Sequence, residues 1–180
     1  MTVCGLLKRS ARQLAEQPNQ VRQPLSPRIF TAGARWMFAH LPPQAARPLV
    51  FDEKTSFGLY GSLKYGSSLL AFGAVSGGLF RLHWLVLLPL AGLAFYAVEV
   101  HFLFLFPLLL DRVAHPLRAS IRATYRVGFW KALAWTLAIA AFMLVGLLHR
   151  QRPWRNWHVG CLALINWYHH EVRAGLSPDY

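Results

Sequence analysis

The sequence predicts an all-α integral membrane protein, and three observations carry that prediction. The 180-residue chain is 55% hydrophobic yet only 14% charged. It carries 19 Lys+Arg against 7 Asp+Glu, a formal charge of +12, with a mean hydropathy of +0.32. The apolar residues are also concentrated: between Tyr65 and Leu110 only Arg81 and Glu99 are formally charged. Disorder is excluded, since it needs low hydrophobicity and high charge. A soluble core helix needs no such depletion, whereas a hydrocarbon layer of about 30 Å demands it over roughly 20 residues.

Three stretches meet that length, at about 56–80, 84–110 and 128–148. Arg81-Leu82-His83 alone separates the first two, which predicts an antiparallel hairpin with a short, nearly neutral tip. Eight Lys/Arg up to Lys54, and four arginines between Asp111 and Arg126, flank the other side. The positive-inside rule therefore places the N-terminus and the 111–126 loop in the cytoplasm and the tip outside. The expected location is a cell membrane, taken as a bacterial inner membrane, with a multi-pass topology. Three spans leave the basic stretch His149 to Arg155 on the disfavoured side. A short helix at about 154–170 bears on this. Its apolar part is too short to span, and Trp154, Trp157 and Trp167 suit a headgroup layer, so it reads as interfacial or re-entrant. A fourth, thin span is the alternative.

Residues 1–55 read as a separate basic region and 56–180 as the transmembrane domain. Val3, Leu6, Leu7 and Leu14 fall near one helical face with Lys8, Arg9 and Arg12 off it. A second apolar piece, including Ile29, Phe30, Trp36, Met37, Phe38 and Leu41, stops at Pro42-Pro43. Both suit the surface of an anionic membrane. The basic residues of the N-terminus follow its short apolar stretch, an order opposite to that of a secretory signal. Nucleic acid is not an expected partner, because the charge flanks apolar spans and does not gather on one folded face with stacking aromatics. Membrane lipids and a membrane-protein partner or second copy are. Cys4 and Cys161 form neither a disulfide framework nor a metal motif.

Gly58, Ser62, Gly66, Gly73 and Gly77 fall within an arc of about 100° on the first span and include one GxxxG. This predicts close helix packing, against the second span or another subunit. Glu99 and His101 are expensive in lipid and are functional candidates by default. Two residues apart, they point about 200° from each other and need separate partners. The hairpin register, with neighbours summing to roughly 164, places Glu99 beside Lys64 and Tyr65 in a polar layer that His101 would extend. Arg118, Arg122 and Arg126 recur every four residues after Pro116, a stripe suited to phosphate or anionic headgroups.

His169, His170 and Glu171 complete the catalytic candidates. Asn166 stands where the HxxHH box of membrane di-iron hydroxylases and desaturases needs its first histidine, and no HxxxH occurs, so no metal site is predicted. Walker, GxSxG and HExxH motifs are absent from the sequence. The cofactor is left open. The expected function is a non-enzymatic accessory, assembly or scaffold subunit of a larger membrane complex. The alternative is a membrane enzyme acting on a lipid or lipid phosphate, with the arginine stripe gripping the headgroup and Glu99, His101 or the His169/His170/Glu171 cluster supplying chemistry. A transporter or channel subunit would rest on Glu99 alone.

Overall fold

Alternating apolar runs and proline or glycine breaks divide the described residues into helices. The computed structural model describes residues 2–16, 29–42, 50–81, 83–148 and 153–175, and no strand occurs among them. The readings that fell on Leu82, Pro43 and 149–152 lie outside the described residues. In order, the helices are α1 (Val3–Glu16), α2 (Ile29–His40), α3 (Phe57–Gly78), α4 (Trp84–Glu99), α5 (Leu105–Leu110), α6 (Pro116–Val127), α7 (Phe129–Leu147) and α8 (Pro153–Trp167). A π turn over Tyr168–Val172 and a 3-10 turn over Arg173–Gly175 extend α8.

Among the described residues two helices are long and apolar enough to cross a membrane: the path Trp84–Leu110 and α7. The stretch expected as the first span forms the 22-residue helix α3, about 33 Å long, but its glycines, serines and Lys64 leave it outside the two helices apolar enough to cross. The Trp84–Leu110 path is not one straight helix. It tightens to a 3-10 turn at Val100–Phe102 before α5, whose Pro107 lacks an N–H to donate. Two hydroxyls from α6 cover the carbonyls at this break: Thr124 donates to Val100 at 2.8 Å and Ser120 to His101 at 2.9 Å. Pro116 occupies the first turn of α6, as its fixed φ favours, and Gly128 at φ 100° allows the bend between α6 and α7.

The core lies where α5, α8 and the π turn meet. Every residue of α5 is buried, as are Phe104, Leu162, Ile165, Trp167 and Tyr168. Here the structure departs from expectation. α1, α2 and α7 all pack on the C-terminal helix and Trp167 is fully enclosed, while Trp154 and Trp157 at its start remain exposed. Leu6, Ser10 and Leu14, the inner face of α1, are buried in the body of the protein. Asn166 fixes that docking, donating to Ser10 Oγ at 3.0 Å and Gln13 Oε1 at 3.1 Å. The N-terminal amphipathic face is therefore covered by the chain's own C-terminal helix.

Candidate functional site

α3 and α4 form the predicted antiparallel pair, and α3 turns Phe57, Gly61, Lys64 and Ser68 inward at spacings of four, three and four. Lys64 Nζ donates to Glu99 Oε1 at 3.0 Å, with side chains only 5% and 11% exposed. Their numbers fall within one of the register sum expected from the hairpin. Tyr65 completes the layer, its ring 5.2 Å from the ammonium and stacked on Phe30 at 5.9 Å. Two opposite charges withdrawn from water together avoid the large cost of burying either alone.

The pair lines a cavity of about 400 Å³ between α2, α3, α4, α7 and α8. Its walls are mainly apolar, with polar groups from Lys64, Tyr65, Tyr96, Glu99, Thr136 and Cys161. Thr136 is 5% exposed and its hydroxyl has no hydrogen-bond partner. The sequence held a signal for it, as the lone hydroxyl residue in the apolar run of α7, but that signal was passed over in favour of charges.

The other predicted residues lie elsewhere. His101 points away from the ion pair, its Nδ1–H donating to the Val98 carbonyl at 3.3 Å and its Nε2 accepting from the Tyr125 hydroxyl at 3.2 Å. His170 Nε2 accepts from Arg9 at 2.9 Å, while Glu171 accepts from Lys131 at 2.7 and 2.9 Å. Burial works against the charged Glu171 carboxylate, but the Lys131 hydrogen bonds and charge prevail and hold its pKa below the usual value. Beneath this turn lies a triad that sequence reading missed. Asp111 accepts from the Tyr168 hydroxyl at 2.6 Å and from Arg173 at 2.7 Å, the last pair being 3% and 5% exposed. Arg173 also donates to the Pro42 carbonyl. Asp111, the first acidic residue after the apolar run, was the visible half of this contact. Its partner lies 62 positions away.

Arg118, Arg122 and Arg126 are exposed along α6, and Arg126 donates to the Gly175 carbonyl at 3.0 Å. The small-residue stripe faces outward: a Cβ at Gly58, Gly66, Gly73 or Gly77 would meet nothing within 4 Å, and Ser62 is exposed. The glycines that do allow close approach are others. A Cβ at Gly61 would collide with Phe30, at Gly146 with Asn156, and at Gly160 with Met143. Among the described residues no group of three or more His, Cys, Asp or Glu side chains is placed to hold a metal ion. No family model, curated protein or solved structure matches the chain.

Proposed function

We propose that the protein is a non-enzymatic accessory or scaffold subunit of a membrane complex, associating through the outer face of the α3–α4 hairpin. The observation that carries this reading is the unfilled small-residue stripe of α3, bordered by the exposed Leu59, Leu63, Leu69 and Leu70 and by Leu85, Val86 and Leu88 of α4. Small residues let helix backbones approach closely where lipid offers no hydrophobic drive, and a large exposed apolar face marks a membrane or partner surface. Among the described residues the stripe packs on nothing, which leaves it open to a helix of another subunit. The exposed arginines of α6 suit anionic headgroups on the cytoplasmic side, together with α1.

The dispersal of the catalytic candidates also supports association over chemistry. Glu99 is bound to Lys64, His101 to Tyr125, His170 to Arg9 and Glu171 to Lys131, at three separate places. General acid–base work needs groups within hydrogen-bond reach of one reacting atom. Purification in mild detergent with mass spectrometry tests the reading. A partner should co-purify stoichiometrically and be lost in Gly73→Leu and Gly77→Leu, positions where an added Cβ meets nothing within the protein's described residues. A wild-type chain that purifies alone and monomeric would overturn it.

A further inference from the structure

The cavity beside the ion pair has no role in the association surface just described. We propose that it binds one uncharged, single-chain lipid bearing a hydroxyl or carbonyl at one end. Its volume of about 400 Å³ lies within the range of roughly 300–1,000 Å³ in which proteins hold small molecules. Phe30, Met37, Phe95, Ile139 and Met143 give it apolar walls. Lining residues Ile29, Tyr65, Leu144 and Trp157 are partly exposed and mark a mouth that is itself apolar and aromatic. Leu144 belongs to a helix apolar enough to cross a membrane, so the mouth is suited to entry from hydrocarbon.

Two observations set the chemistry of the occupant. Threonine in a helix normally satisfies its hydroxyl on a carbonyl one turn back. Thr136 does not, and its buried hydroxyl, unpartnered on the cavity wall, is a donor and acceptor awaiting a partner. Lys64 and Glu99 neutralise one another, so the site has no net charge to offer a phosphate or carboxylate, and a charged head would be buried without compensation. A neutral hydroxyl or carbonyl fits both conditions. The exposed arginines of α6 offer the opposite chemistry, which separates this ligand from anionic headgroups.

Gly33 on α2 supplies a clean obstruction. It lines the cavity, and a Cβ built there meets nothing within 4 Å, so the side chain of Gly33→Leu starts from open space and takes up ligand volume. The test is equilibrium binding of tritiated oleyl alcohol to the full-length protein in dodecyl maltoside, with native mass spectrometry for stoichiometry. The wild type should take up about one molecule per chain, and oleate at alkaline pH should compete at least about tenfold more weakly than unlabelled oleyl alcohol. Gly33→Leu should lose saturable binding while keeping the wild-type helical circular dichroism. Thr136→Val, which removes only the hydroxyl, should weaken binding about five- to tenfold. Gly77→Leu, remote from the cavity, should bind as the wild type does. Absence of saturable uptake by the wild type, undiminished uptake by Gly33→Leu, or equal competition by oleate would each overturn the proposal.

Discussion

The ion pair between Lys64 and Glu99 is the residue-scale feature with the largest energetic stake. Removing either partner leaves a buried charge uncompensated, which typically costs 3–5 kcal/mol, whereas replacing both with apolar side chains of similar size is often neutral. Lys64→Met and Glu99→Met alone should each lower thermal stability in detergent by about that amount, and the double variant should recover most of it. Thermal melts followed by circular dichroism check this, and additive losses would show that the two side chains do not act as a pair. The Glu171–Lys131 pair is a weaker case, with side chains 24% and 40% exposed, for which about 1 kcal/mol is an upper figure. Because the Glu171 carboxylate titrates below its unfolded value, its contribution is present above the ordinary carboxylate range and is lost as pH falls through the depressed value. Hydrogen exchange of residues 168–175 should therefore quicken on acidification, and Glu171→Gln should show the fast exchange already at neutral pH. The Lys64–Glu99 contact was legible in the sequence, since a three-residue hairpin tip fixes register for many residues on either side. The triad of Asp111, Tyr168 and Arg173 was not, because no local rule relates a loop after one helix to the end of another 57 positions on.

At the scale of elements, the apolar faces were legible but their partners were not. The periodicity of α1 states that Val3, Leu6, Leu7 and Leu14 share a face; it is silent on whether lipid or protein covers it, and α8 does. Likewise, the tryptophans of the C-terminal helix suggested headgroups; Trp154 and Trp157 are exposed, yet Trp167 packs against Phe104 and Trp135 at 5.5 and 4.8 Å in the core. Glycine spacing misled for a related reason, since the regular stripe of α3 is open while the isolated Gly61, Gly146 and Gly160 sit at close contacts. Leu6→Ala should destabilise the protein by about 2–5 kcal/mol through a cavity under α1, where a chain whose α1 face merely rests on lipid would show little change. The break at Val100–Phe102 makes a smaller, separable prediction. Thr124→Val removes a hydroxyl bond to the Val100 carbonyl and should cost about 1 kcal/mol, and Thr124→Ser should restore it. Equal melting temperatures for the valine and serine variants would show that the hydroxyl is dispensable.

At the scale of the whole molecule, the contacts of the C-terminal turn bear on topology more directly than charge counting does. Arg173 meets Asp111 and the end of α2, Arg126 reaches Gly175, Lys131 at the start of α7 holds Glu171, and Arg9 holds His170. These bonds draw the end of α5, the end of α6, the start of α7 and the turns after α8 to one end of the molecule, together with α1. Since α8 packs along α7 and returns to the level where α7 begins, a crossing by α7 implies a return by the path Pro153–Gly175. The same holds for the α3–α4 hairpin, whose Lys64–Glu99 pair ties its two arms antiparallel. The antiparallel packing of α8 on α7 is the arrangement that the thin fourth span requires. A reporter fused after Tyr180 should read on the same side as one fused before Met1, and both should read cytoplasmic. The fusion should behave identically in a Gly73→Leu background, since association through α3 does not set the path of α8. Opposite readings for the two termini would require α8 to leave the packing on α7 that encloses Trp167, and would return that helix to the interface.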